Sequence, residues 1–405
     1  MAIGIKRFIV VSLIVLPVLA LAALVDVWVK DHHAVLRFIY PLEAALVKTQ
    51  IRCSAHAPLW LRDIPPLAMN VFGALAGQVA YRSPDGQIYH CEHGWAGGLF
   101  RSPAVSAESR FRYASLTKLL TADSVLRRVQ SGGYKLGGYR LSDRLVEFVP
   151  EWRSTVDARV ADITIEQLLR HRAGFDRMRS LDPMTIHKTK PWCPGDLSRA
   201  GDLRLDFEPG SRSAYANLGY CMLGVWLERV EGAPYRALME RDHGLLARGM
   251  RFIDGPYLAD EVRYDFRNSS FYVENYHRYF DFQALSSSAG LSGSAVAMAK
   301  LLGDLIHRQP LNISSMDDVQ CNSHEILSCR SLGAMVSRWS GSPWVIHSHG
   351  GTLYGASAQA LMDNDGGVLV MLGNGMPTDW NQASHEFLSS VHELYQLHRK
   401  PPKSS

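Results

Sequence analysis

The 405-residue sequence has no run of lysine and arginine of the kind that tracks a phosphate backbone. Its formal net charge is only +4 and the basic residues are scattered, so nucleic acid is not an expected partner. No Cys/His spacing matches a zinc site, so no metal is expected. Low-complexity tracts and repeats of solenoid period are missing too, which excludes a repeat array. What remains is an ordinary globular composition, 47% hydrophobic and 20% charged, with enough apolar residues for a large core.

Charge is also missing from one long stretch. Phe8 to Val25 is an uncharged run of 18 residues that follows Lys6 and Arg7 and ends at Asp26. That length lies between a long signal-peptide core and a short membrane span. Cleavage near Ala20-Leu21-Ala22 fits one case; Val27, Trp28 and Val29 extend the apolar stretch in the other. Residues 1–29 are therefore expected to be a signal anchor or signal peptide. Lys6 and Arg7 hold the N-terminus inside, so the body would be exported. The expected location is the inner membrane, single-pass, with the body of the chain outside the cytoplasm, or the periplasm if the segment is cleaved. Residues 30–67 read as an amphipathic connector interrupted by Pro41, and 399–405 as a disordered tail.

Six cysteines suit an oxidising compartment. Cys53 with Cys91, and Cys321 with Cys329, are the pairs that the spacing suggests. Cys193 sits in a Pro-rich loop, and Cys221, in an apolar helix, reads as a buried thiol.

The chemistry centres on Phe111-Arg112-Tyr113-Ala114-Ser115-Leu116-Thr117-Lys118. Residues three apart share a helix face, so Ser115 and Lys118 would point the same way at a helix start. A serine hydroxyl needs a neighbour to take its proton. A helix N-terminus favours a developing oxyanion. Ser-x-x-Lys alone is weak, since about one is expected by chance in a chain of this length.

Two antiparallel strands, Asn70 to Ala80 and Gln87 to His93, are expected upstream, joined by the turn Ser83-Pro84-Asp85-Gly86. Downstream come short helices, at Leu141 to Pro150 and at Ile163 to His171. The second carries a Thr164/Gln167 capping box. No strand is expected from about 119 to 230, which suggests a helical subdomain inserted in a sheet. Tyr215 and Asn217 precede a helix at Leu218 to Arg229. A phenol can relay a proton, and an amide can hold a substrate carbonyl. The C-terminal part reads as a helix, Ala295 to Ile306, then a polar excursion over 308–331. Three strands follow at Trp344 to His349, Tyr354 to Met362 and Val368 to Leu372, then a helix from Asp379 to Leu397. His349-Gly350-Gly351-Thr352 falls where the first of these strands ends. There the Thr352 amide could join that of Ser115 as an oxyanion hole, and His349 could present a donor.

Ser115-x-x-Lys118, Tyr215-x-Asn217 and His349-Gly350-Gly351, in this order, resemble the three motifs of the serine β-lactamase and penicillin-binding protein superfamily. The Tyr-x-Asn form is similar to class C β-lactamases and related DD-peptidases and esterases. The resemblance spans roughly residues 68 to 395. It implies an α+β fold, an antiparallel sheet flanked by helices. A catalytic domain would cover 68–398, with a helical subdomain at about 119–285. It also implies Ser115 as nucleophile, Lys118 and Tyr215 as the proton-handling pair with the base left open, and Asn217, His349, Gly350, Gly351 and Thr352 as substrate-binding residues. No cofactor is implied.

The third motif departs from Lys-Thr-Gly: His349 and Gly350 remove a cation and a hydroxyl that would recognise a substrate carboxylate. Arg338 and His347 are candidates for the missing charge. Glu166 has the context of a structural helix and receives no role. The expected function is an exported serine hydrolase forming an acyl-enzyme on an ester or a D-amino-acid-containing peptide. Its substrate would be a small molecule or peptide, peptidoglycan-derived peptides among them. The alternatives are a β-lactamase or penicillin-binding DD-peptidase, and a low-turnover peptidoglycan-binding or sensing domain.

Overall fold

The computed structural model describes residues 2–100, 102–131, 138–179, 184–186, 190–269, 273, 275–308 and 326–400. Helix α1 (Ala2–Lys48) runs through Pro41 and breaks at Asp31, whose backbone leaves the helical region (φ −151°, ψ 84°). Residues after the break are not a loose connector. Arg37 Nη1 donates to the Arg267 carbonyl (2.7 Å), Arg267 Nη1 donates to the Leu36 carbonyl (2.6 Å), and Tyr40 Oη donates to the Met69 carbonyl (2.5 Å). Among the described residues, no helix is long and apolar enough to cross a membrane.

Strand β1 (Arg52–Cys53) pairs with a later strand, and α2 (Ile64–Phe72) follows. This helix takes the first three residues of the expected 70–80 strand, and Gly73 ends it in the left-handed region (φ +67°). The strand proper is β2 (Gly77–Arg82). It pairs antiparallel with β3 (Ile88–His93) across the expected turn. Next come β4 (Phe111–Arg112), α3 (Thr117–Gln130), α4 (Ile165–Leu169), α5 (Asn217–Glu231), α6 (Tyr235–His243), β5 (Arg251–Phe252) and β6 (Leu291–Gly293). The Thr164/Gln167 capping box forms as expected at the start of α4. At Leu141 to Pro150 there is only a short 3₁₀ turn, Leu145–Glu147, instead of a helix. Among the described residues no strand lies between β4 and β5.

The chain ends in α7 (Ala295–Arg308), β7 (Ile326–Arg330), β8 (Met335–Trp339), β9 (Val345–Leu353), β10 (Ala356–Asp363), β11 (Val368–Gly373) and α8 (Trp380–His398). Strands β7 and β8 are additions to the three expected here. The first part of the expected polar excursion, Cys321 and the tail beyond Lys400 lie outside the described residues.

The main sheet has the order β1-β3-β2-β11-β10-β9-β8-β7, antiparallel throughout; β4-β6-β5 form a second, small sheet. All residues of β10 and β11 are buried, because both sheet faces are covered. One face packs Val79, Ile346, Leu361 and Met371 against Trp60, Phe72, Phe387 and Tyr395 from α2, α8 and the turn before α2. The other packs Ala358, Ala360, Val370 and Leu372 with Leu119, Leu120, Met222 and Leu302 of the helical layer. This is the expected α+β arrangement, and the seam between sheet and helical part holds the motifs.

Cys53 and Cys91 are bonded, across β1 and β3. Cys221 is not a free thiol: it is bonded to Cys193, tying α5 to the 190s loop. Cys329 is also disulfide-bonded.

Candidate active site

Ser115 does not open the α-helix directly. It sits in a 3₁₀ turn, Ala114–Leu116, between β4 and α3. Ala114 has φ +47°, a region that a side chain makes costly, so the turn must be held from outside. Tyr113 N–H donates to the Leu291 carbonyl (2.9 Å), and its hydroxyl to the Ser294 carbonyl (2.9 Å). Thr117 Oγ1 donates to the Ala114 carbonyl (2.8 Å) and accepts from Leu291 N–H (3.2 Å).

Directly before the turn, Arg112 Nε donates to Glu261 Oε1 (2.7 Å), and neither side chain has any exposed surface. The Arg112 guanidinium lies among the rings of Tyr257, Tyr264 and Tyr354, with centroids 5.5, 5.4 and 5.0 Å away. Neither arginine nor glutamate is flagged by motif spacing.

Lys118 is fully buried on the first turn of α3. Its Nζ lies 3.3 Å from Ser115 Oγ, 2.8 Å from Asn217 Oδ1 and 2.9 Å from the Ser288 carbonyl. The last two atoms only accept, so they use two N–H groups. The remaining corner of the nitrogen faces Ser115. Tyr215 Oη donates to Ser115 Oγ at 2.7 Å. The extended backbone of Ala216 (φ −145°, ψ 126°) puts Tyr215 and Asn217 on this one side, as their spacing predicts. Asn217 Oδ1 is engaged by Lys118 in this arrangement, where a contact to a substrate amide was expected.

The third motif lies inside β9, not at its end. Adding a Cβ to Gly351 would bring it to 2.6 Å from Ser115 N and 3.1 Å from Ala114 Cβ, so only glycine allows this approach. Gly351→Ala is expected to lower kcat on an activated ester about 100-fold through displacement of the Ser115 turn. Steady-state kinetics beside circular dichroism check this. Wild-type turnover in a folded variant would show that strand and turn part without consequence.

His349 Nδ1 lies 2.8 Å from the Gly333 carbonyl and must donate to it, since a carbonyl only accepts. Burial pushes the imidazole pKa down to about 3, and the Lys118 charge adds to this. The ring is therefore neutral with its proton on Nδ1, and Nε2 is an acceptor. The expected donor role for His349 does not hold. At Gly350 a Cβ would meet Trp380 Cζ2 at 2.9 Å, so the indole occupies the room that a threonine there would need.

A cleft of about 290 Å³ opens on Ser115, Tyr215, His349, Gly350, Gly351 and Thr352. It is also lined by Arg177, Arg330 and His171, which no motif reading identified. Neither candidate for the missing cation is among the described lining residues. Arg338 is exposed on β8, and His347 is buried, its pKa pushed by desolvation down to about 3. Glu166 forms an i,i+4 ion pair with Arg170 (2.8 Å), as its structural context predicts.

The beta-lactamase family model matches residues 72–388. FimD of Dichelobacter nodosus serogroup D, a fimbrial-assembly candidate, is 35% identical over 370 residues, covering 91% of this chain and 92% of that one. The D-alanyl-D-alanine-carboxypeptidase/endopeptidase AmpH of Escherichia coli K12 is 29% identical over 137 residues, 33% of this chain and 34% of AmpH. Among solved structures, D-amino acid amidase from Ochrobactrum anthropi SV3 superposes with a TM-score of 0.61 at 18% identity, covering 80% of this chain and 96% of the amidase. A penicillin binding protein from Bacillus halodurans gives 0.60 at 18% identity, over 82% and 99%. With this match over most of its length, the chain belongs to the beta-lactamase family of serine hydrolases.

Proposed function

We propose that the protein hydrolyses an ester or a D-amino-acid-containing peptide or amide through an acyl-enzyme on Ser115. One observation carries this reading: Ser115 Oγ meets both the Tyr215 hydroxyl (2.7 Å) and the Lys118 amine (3.3 Å) on the floor of a cleft. Ser115 Oγ attacks the carbonyl carbon. With substrate bound, the Tyr215 hydroxyl turns its hydrogen toward the leaving-group atom and accepts from Ser115 Oγ, so that the serine proton passes to Tyr215 Oη as the Tyr215 proton passes to the leaving group. The N–H groups of Ser115 and Thr352 receive the oxyanion. Lys118 holds Ser115 and opposes the developing negative charge. Water then repeats the sequence on the acyl-enzyme. The choice of D-residues draws on relatives named for D-alanyl-D-alanine and D-amino acid substrates. The neutral His349 disfavours the β-lactamase alternative, because the third motif lacks its lysine.

Export is part of the proposal. Disulfides at Cys53–Cys91 and Cys193–Cys221 suit an oxidising compartment, and Lys6-Arg7 before the uncharged Phe8–Val25 suits an inner-membrane tether.

The test is acid-quenched intact-mass spectrometry of the protein with a p-nitrophenyl ester and, separately, with benzylpenicillin. The expected result is an acyl adduct from the ester, mapped to the peptide holding Ser115. Ester turnover with no adduct there, or with an adduct elsewhere, would sink the reading. A long-lived penicilloyl adduct would instead assign the penicillin-binding alternative.

A further inference from the structure

We propose that the cleft selects substrates carrying an oxyanion group, a carboxylate or a phosphate, and that Arg177 and Arg330 beside Tyr215 bind it. This rests on the acyl-enzyme reading and adds the charge of the substrate to it.

Among the described residues lining the cleft there is no aspartate or glutamate. The guanidinium carbons of Arg177 and Arg330 lie 5.1 and 5.6 Å from the Tyr215 ring centroid. Among the described residues neither has a carboxylate in ion-pair range. Among the described residues every buried arginine has such a partner: Arg110 with Asp260, Arg112 with Glu261, Arg128 with Asp242, Arg170 with Glu166, Arg267 with Glu43. Arg177 is exposed at the cleft mouth, whereas Arg330 is half-buried, and an unpaired guanidinium drawn out of water is costly, so the presence of Arg330 calls for a ligand. Burial lowers the Arg330 pKa. The Tyr215 and Tyr220 phenols oppose that shift and Arg177 adds to it.

A further donor lies in the same wall. Ala216 N–H donates to His171 Nδ1 (3.3 Å), so the ring proton sits on Nε2, which is buried with no hydrogen-bond partner among the described residues. Desolvation first, then Arg330 and Lys118, hold the His171 pKa well below its usual value, so the ring stays neutral. The fixed charge in and under the cleft is then positive, from Lys118, Arg177 and Arg330. A substrate with a free ammonium beside its scissile bond, such as a simple amino acid amide, meets repulsion there. An N-blocked peptide or ester with an anionic terminus meets two forked donors that match its oxygens. Arg177 enters through the helical subdomain and Arg330 through the end of β7, so the anion would bridge the two walls above the nucleophile.

The test uses the full-length protein and aryl acetates whose leaving phenol carries a meta carboxylate, phosphonate, carboxamide or aminomethyl group. The expected kcat/KM is highest for an anionic substrate, about 10- to 100-fold above the carboxamide, and lowest for the ammonium. Arg177→Gln and Arg330→Gln should each shrink the anion-to-carboxamide ratio about tenfold, and Arg330→Lys should restore part of it. Whichever of the carboxylate and phosphonate leads names the anion. A wild-type ratio near one, or a ratio that neither variant moves, overturns the proposal and leaves the arginines as supports for the Tyr215 ring.

Ser115→Ala separates this from the underlying reading. Calorimetry of that variant with m-hydroxybenzoate and m-hydroxybenzamide reads the subsite without turnover, and the benzoate should bind at least tenfold tighter. Equal binding overturns the anion site. Hydrolysis that survives in Ser115→Ala overturns the acyl-enzyme instead.

Discussion

Ser115→Ala is expected to lower kcat on an activated ester about 10⁵-fold, and Tyr215→Phe alone about 10²- to 10⁴-fold. The double variant should be no slower than Ser115→Ala. The reason is geometric. Tyr215 Oη has its 2.7 Å contact to the very oxygen that Ser115→Ala removes, so its proton transfer has no meaning without that oxygen. Residues that work as one unit fail together, and their losses do not multiply. Tyr215→Phe keeps the ring against His171 (centroids 4.5 Å apart) and loses only the hydroxyl, so the fold should survive and the loss should fall on kcat more than on KM. Steady-state kinetics on the four corners of the cycle decide the matter. A Tyr215→Phe variant within threefold of wild type would remove the tyrosine from proton transfer and leave that work to Lys118. Multiplicative losses in the double variant would mean that Tyr215 acts on the substrate independently of the serine.

The meeting of Ser115 with Lys118 and the shared side of Tyr215 and Asn217 were legible because each is tied to a local geometry that spacing reports: a helical turn for the first pair, an extended step for the second. The same holds for the β2–β3 hairpin and the Thr164/Gln167 cap. What stayed hidden depends on contacts between distant segments. Arg177 and Arg330 are 153 positions apart and meet only over the Tyr215 ring. Cys221 reads as a helix thiol until the 190s loop folds back onto α5. Strands β7 and β8 are short, and the second alternates too weakly between buried and exposed to announce itself. His349 shows the remaining gap. Its place in the motif is plain from sequence, but its tautomer is set by the Gly333 carbonyl, which arrives from the turn before β8.

Arg112→Met is expected to destabilise the protein by about 3–5 kcal/mol, more than the loss of packing alone would cost, because it strands the Glu261 carboxylate in a site with no exposed surface. Adding Glu261→Gln should recover part of that loss. The neutral amide oxygen still accepts from Tyr264 Oη (3.0 Å in the wild type) without leaving a charge unpaired. The double variant should thus be more stable than Arg112→Met itself, an ordering that simple additivity forbids. Denaturant titration followed by tryptophan fluorescence reads it, and a double variant weaker by the sum of both single losses would mean that the pair is not coupled. Activity should not return with stability. The Arg112 backbone N–H donates to Tyr264 Oη (2.8 Å), and Arg112 pairs with Ser292 between β4 and β6, three residues ahead of Ser115. The strained Ala114 turn is held by this anchorage and not by its own preference. Removing the guanidinium from among Tyr257, Tyr264 and Tyr354 lets that anchor shift, and the 3.3 and 2.7 Å contacts of Ser115 with Lys118 and Tyr215 shift with it. The buried pair therefore ties the stability of the small sheet to the aim of Ser115, and a variant that regains the first without the second separates the two roles.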